Sequence, residues 1–84
     1  MTRIYKYQKI KSAVAKMGIE TLIDEFNALV GKRYWTGARA AHDVALINTF
    51  IRKGVDVSEI YDGTTISFQR KIALNSDNSK IILV

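Results

Sequence analysis

Cysteine and proline are both absent from this 84-residue chain, and histidine and tryptophan occur once each. Without cysteine there is no disulfide, no thiolate nucleophile and no sulfur-ligated metal, and a reducing or redox-indifferent compartment fits. A single imidazole, His42, leaves no histidine pair for zinc. With no proline to stop a helix, glycine at positions 18, 31, 37, 54 and 63 does most of the punctuation. No apolar run approaches the roughly 18 residues of a membrane span. The opening residues, MTRIYKYQKI, lack the apolar centre of a secretory signal. Repeats, low-complexity tracts, Gly-rich phosphate loops, a Walker lysine and a nucleophile elbow are missing as well. These absences lead us to expect one domain, residues 1–84, that is cytoplasmic, non-enzymatic and without cofactor or metal.

What is present is positive charge, unevenly spread. The net charge is +5. Residues 1–18 hold Arg3, Lys6, Lys9, Lys11 and Lys16 with no acid. Residues 19–63 hold five cations against seven anions, and the last 21 residues carry Arg70, Lys71 and Lys80 against Asp77. Basic ends around a mildly acidic middle point to a polyanionic partner, or to a surface kept basic for solubility.

Hydrophobic spacing gives the element order. Ile4, Tyr7, Ile10, Val14 and Met17 recur every three or four residues and predict a helix capped in left-handed fashion by Gly18. Weak alternation leaves residues 3–7 as an alternative short strand. Ile19, Leu22, Ile23, Phe26, Leu29 and Val30 form one apolar stripe, with Glu20, Asp24 and Glu25 toward its start and Gly31 at its end, which is a second helix. Residues 37–53 predict a third. Its expected core face is Ala40, Val44, Ile47 and Ile51, widened by Leu46 and Phe50. VDVSEIYDG reads as a connector with one helical turn at Ser58.

The period then changes. Ile66, Phe68, Ile72 and Leu74 alternate, NSDNS supplies turn residues, and KIILV ends the sequence as a strand. The fold class is therefore α+β, three helices followed by a C-terminal β-hairpin, resembling a winged helix-turn-helix in outline. Residues 81–84 are apolar on both faces, and an isolated hairpin is marginal in water. A third strand from residues 3–7 is expected to cover it, or else a second copy of the chain in a homodimer through the C-terminal strand.

The stretch GKRYWTGARAAH, residues 31–42, holds the main candidate site. Thr36 is placed to cap the third helix by accepting from the amide of Ala38 or Arg39, and Trp35 to act as a hydrophobic staple on Ala40. Arg39 stands where a capping box has Glu or Gln, putting a cation at the positive end of the helix dipole. With Lys32 and Arg33 beside it, the stretch has the chemistry of an anion site. A pair between Arg39 and Asp43, four residues on, is the plain structural explanation. Lys9 and Lys16 on the first helix and Arg70 and Lys71 near the hairpin extend the candidate phosphate contacts, with Trp35 or Tyr34 as a stacking surface.

Two further features complete the reading. Ala38, Ala41, Ala45, Asn48 and Arg52 form a strip of mostly small residues opposite the expected core face of the third helix, suited to partner docking. His42 is expected to face solvent, because Asp43 beside it points about 100° away around the helix. The leading expectation is a small regulator that binds nucleic acid through its phosphates. The alternative is an inhibitor or adaptor that docks on a nucleic-acid-handling protein complex, of the type mobile elements and phages encode, anti-CRISPR proteins included.

Overall fold

The computed structural model describes residues 2–32 and 36–84, with side chains from Tyr7 onward. Three helices come first: α1 (Thr2–Ala15), α2 (Ile19–Leu29) and α3 (Gly37–Arg52). Strands β1 (Ile72–Leu74) and β2 (Ile81–Leu83) follow. They pair antiparallel with Ile72 opposite Leu83, Ala73 opposite Ile82 and Leu74 opposite Ile81. This is the expected α+β order of three helices and a C-terminal hairpin.

Residues 3–7 belong to α1, not to a strand. Both edges of the sheet are partly engaged by other segments, at Ile72 and at Ile81. On the β1 edge, the Asn27 side chain of α2 accepts from the Ile72 amide at 2.8 Å and donates to the Ile72 carbonyl at 3.0 Å. One carboxamide thus does what a neighbouring strand would do. On the β2 edge, the Ile81 amide donates to the Asp56 carbonyl at 2.9 Å, and the Asp56 amide to the Ser79 carbonyl at 2.8 Å. α2 and the connector after α3 thus engage Ile72 and Ile81, while Ile82, Leu83 and Val84 remain 39%, 37% and 67% exposed.

Helix ends follow local rules with one correction. The Thr36 hydroxyl accepts from the Arg39 amide at 3.0 Å, as its position predicts. At the other end of α3 the Gly54 amide bonds the Ile51 carbonyl at 2.9 Å and the Val55 amide bonds the Phe50 carbonyl at 3.0 Å. That is a Schellman motif, and it requires the positive φ of 80° that Gly54 adopts. Val55 and Phe50 are both buried, completing the apolar contact that accompanies the motif. Gly18, by contrast, is extended (φ −71°, ψ 165°) and serves as the N-cap of α2, not as a left-handed cap of α1.

The core joins all segments. Val14 of α1, Leu22 and Phe26 of α2, and Leu46, Ile47 and Phe50 of α3 are buried with Val55, Val57 and Ile60 of the connector and Ile72 and Ile81 of the hairpin. Phe68 lies parallel to Phe26 with ring centroids 4.5 Å apart. The connector makes its turn where expected: Asp56 Oδ1 accepts from the Ser58 amide at 2.8 Å, and the Ile60 and Tyr61 amides reach the Val57 carbonyl.

The buried face of α3 includes Leu46, Ile47 and Phe50 as expected but differs at the other three positions. Arg39, Asp43, Leu46 and Phe50 form the inward stripe, while Val44 and Ile51 remain 51% and 50% exposed. Ala40 is exposed too. A count of apolar residues alone misplaces the stripe because two of its four members are charged. Thr49 is buried as well, its hydroxyl donating to the Ala45 carbonyl at 2.7 Å.

Asn27 holds the hairpin to the helices. Replacing it with leucine strands a part-buried amide and carbonyl at once, with an expected loss of about 2–4 kcal/mol. Urea unfolding of Asn27→Leu measures this, and a loss below about 0.5 kcal/mol would show that water satisfies Ile72 equally well.

Candidate functional site

Arg39 is 6% exposed and Asp43 2% exposed. Their separation of four residues on α3 puts both on one side of the helix, where Arg39 Nε donates to Asp43 Oδ2 at 3.3 Å. Arg39 Nη1 reaches the Lys32 carbonyl at 3.4 Å, and the guanidinium lies 5.2 Å from the centre of the Phe68 ring. The plain structural explanation of Arg39 therefore holds. Its charge is turned inward, so it does not stand ready for an outside phosphate, and this corrects the reading of Arg39 as the centre of an anion site.

His42 extends the same network. Its Nε2 lies 3.0 Å from Glu25 Oε1 of α2, and its Nδ1 lies 3.5 Å from Asp43 Oδ1. The ring is 22% exposed, so it is not the solvent-facing histidine expected. Asp43 does approach its sequence neighbour, at a distance long enough that the attraction is mainly electrostatic. Both ring nitrogens face carboxylates, and only the doubly protonated ring donates to both. The hydrogen bond to Asp43 accordingly raises the His42 pKa above 6.5, opposed by burial and reinforced by Glu25.

The other described members of the proposed anion set lie on and just after α1, just after α2 and just before β1. Lys9, Lys16, Lys32, Arg70 and Lys71 are exposed. Arg70 Nη2 donates to the Val84 carbonyl at 2.9 Å. Lys32 meets Arg39 through its carbonyl, not its ammonium. Arg33, Tyr34 and Trp35 lie outside the described residues. At the start of α3, a Cβ on Gly37 would overlap the Tyr7 hydroxyl of α1, so a larger residue there would have to displace the Tyr7 side chain.

The expected docking strip is split between two clefts. Ala38 lines a cleft of about 340 Å³ with Glu25, Ala28, Leu29, Thr36, Arg39 and His42. Ala45, Asn48 and Arg52 line a separate groove of about 530 Å³ between α1 and α3. Ala45 is buried, not outward as expected, because α1 packs across this part of α3. Ala41 is half-buried.

The α1–α3 groove brings together residues that sequence reasoning did not combine. Gln8, Lys11, Ser12 and Ala15 come from α1, and Val44 and Ile51 from α3. Their signal was available. Residues 8, 11, 12 and 15 repeat at three and four, and Val44 and Ile51 are seven apart. What hid them was the assignment of Val44 and Ile51 to the core.

Four acids are engaged in structure. Glu25 and Asp43 serve the network above. Asp56 and Asp62 accept from backbone amides, of Ser58 and of Thr64 and Thr65, which lowers the pKa of both carboxyls. Among the described residues, no lysine forms an ion pair. No group of three or more His, Asp or Glu among them is placed to hold a metal, and no helix is long and apolar enough to cross a membrane.

No family model, curated protein or solved structure matches the chain. The winged-helix outline accordingly remains a likeness of element order, and function has to be argued from geometry.

Two measurements test the network. Asp43→Leu leaves the Arg39 charge buried without its carboxylate, at an expected cost of about 3–5 kcal/mol in chemical denaturation. Adding Arg39→Met to that variant is expected to recover most of the loss, and failure to recover would mean that the pair is not a unit. For pH the sign follows from the raised pKa. Stabilisation by His42 is complete below the value of a free imidazole and is lost as pH rises through the folded value. Unfolding free energy is therefore expected to fall as pH rises above the value of a free imidazole, and His42→Gln to flatten that slope.

Proposed function

We propose that this chain is a non-enzymatic binding module that docks on an acidic surface of a partner protein through the outward face of α1 and α3. One observation carries the reading: Val44 and Ile51 stand half-exposed in a groove whose two walls carry no free carboxylate. Helix α1 contains no acid at all, and the one acid of α3, Asp43, is buried against Arg39. Lys11 and Arg52 line the same groove.

Exposed β-branched residues flanked by uncompensated cations suit a partner that offers apolar side chains and acids together. Depletion of opposing charge keeps the local potential positive, which speeds encounter with an acidic surface. An inhibitor or adaptor that meets an acidic face of a nucleic-acid-handling complex is one class of protein with this chemistry.

A second reading, direct binding of nucleic-acid phosphates, draws its support from the exposed and unpaired Lys9, Lys16 and Lys32. It ranks below docking because the residue that was to organise the phosphate site, Arg39, is turned inward. Phosphates also leave Val44 and Ile51 uncovered.

Co-purification separates the two. A protein partner retained through nuclease treatment and ~0.5 M salt, and released by the double variant Val44→Asp, Ile51→Asp, is the expected result. Retention of nuclease-sensitive nucleic acid alone, with affinity falling steeply as salt rises, would replace docking by the phosphate reading.

A further inference from the structure

Val44 and Ile51 lie seven residues apart, two helical turns, which separates them by about 10 Å along α3. That is the repeat at which one helix presents apolar side chains to another. The pair belongs to a stripe whose pattern looks like core, yet between the buried Ile47 and solvent it stays 51% and 50% exposed. Across the groove, the stretch of α1 from Gln8 to Ala15 also runs for about 10 Å.

Between these walls the lining is small. Ser12 and Ala15 on one side and Ala45 on the other carry the least bulk, so an incoming backbone can come close. Charge selects the occupant further. Arg52 Nη2 donates to Thr49 Oγ1 at 3.1 Å, and Thr49 is itself tied to the Ala45 carbonyl, so the guanidinium is held in place beside the groove. A fixed guanidinium loses less freedom on meeting a carboxylate than a mobile one does. Lys11 supplies the second cation, and neither wall supplies an acid.

From these features, and resting on the docking reading above, we infer that the α1–α3 groove takes a short amphipathic helix of a partner protein. That helix carries apolar residues at i, i+3 or i+4, and i+7, flanked by Asp or Glu. Its apolar row covers Val44 and Ile51, and its acids meet Lys11 and Arg52. A basic helix would set its cations against both of these groups. A nucleic-acid strand would meet the cations but leave the two apolar side chains in water. A second copy of this chain does not supply the segment either. Its acidic helix, α2, buries its apolar face through Leu22 and Phe26.

The test uses the intact chain and a displayed library of random peptides of about 16 residues, long enough for a helix to form on binding. Enriched sequences are expected to share the acidic i, i+3/i+4, i+7 pattern. A synthetic copy of one is expected to shift the methyl resonances of Val44 and Ile51 in the wild-type protein. Its affinity is expected to fall at least about tenfold in Ile51→Asp and in Arg52→Glu, while Lys32→Glu and Arg70→Glu stay within about twofold. Circular dichroism checks that each variant is folded, and the methyl shifts on the unaltered chain do not depend on any variant.

Enriched peptides without acidic bias, or binding indifferent to Ile51→Asp, would overturn this occupant. If such peptides still map to other residues of α1 and α3, the docking reading survives the loss. If no peptide is enriched, and only a duplex of about 20 base pairs moves the two methyl signals, both the helix occupant and the docking reading fall.

Discussion

Two opposite charges taken out of water inside an 84-residue chain set the terms for the rest of this structure. Burying either ion alone costs several kcal/mol, and their mutual attraction offsets that only when every remaining donor and acceptor is met. Arg39 and Asp43 satisfy the condition by recruiting partners from elsewhere in the chain. The Lys32 carbonyl takes one guanidinium nitrogen, the centre of the Phe68 ring lies 5.2 Å from the guanidinium carbon, and His42 approaches the second carboxylate oxygen. His42 is in turn balanced by Glu25 of α2. Among the described side chains, no buried nitrogen or oxygen lacks a partner. The network therefore links α2, α3, the segment after α2 and the segment before β1, and it fixes how α3 is rotated about its axis.

That rotation connects the core to the proposed function. With Arg39, Asp43, Leu46 and Phe50 facing inward, Val44 and Ile51 lie roughly 120° around the helix from the buried stripe, at 100° per residue. A domain of this size has few apolar residues to spare, and leaving two β-branched ones half in water forgoes burial worth about 1 kcal/mol or more each. Meanwhile an ion pair occupies central positions that apolar side chains would fill at no desolvation cost. The arrangement is coherent if the surface so created is used, and the absence of carboxylate from both walls of the groove says what kind of surface would use it.

Much of the framework was legible locally. Thr36 announced its cap, Gly54 the end of α3, and the Asn and Ser residues at 75–79 the hairpin turn, where Asn75 Oδ1 accepts from the Ser79 and Lys80 amides. Each of these is a short-range decision, made by hydrogen bonds within a few residues. The pairing of Arg39 with Asp43 was also legible, because a helix brings residues four apart together whatever lies beyond it. The cation-rich, acid-free first 18 residues needed no structure to be noticed.

By itself, then, the sequence determined the three helices, their order before the hairpin, and the charge of the surface that α1 presents. Tertiary structure alone decided which face of α3 is buried, since periodicity counts apolar residues and cannot see that a charged pair will be satisfied by Lys32, Phe68 and, through His42, Glu25. It also decided the fate of residues 3–7. Those residues are helical, and Asn27 engages the sheet edge at Ile72 across 45 positions of sequence, a link that no local pattern encodes. The groove between α1 and α3 belongs to the same class, because it exists only where two distant helices meet with the side chains that neither one buries.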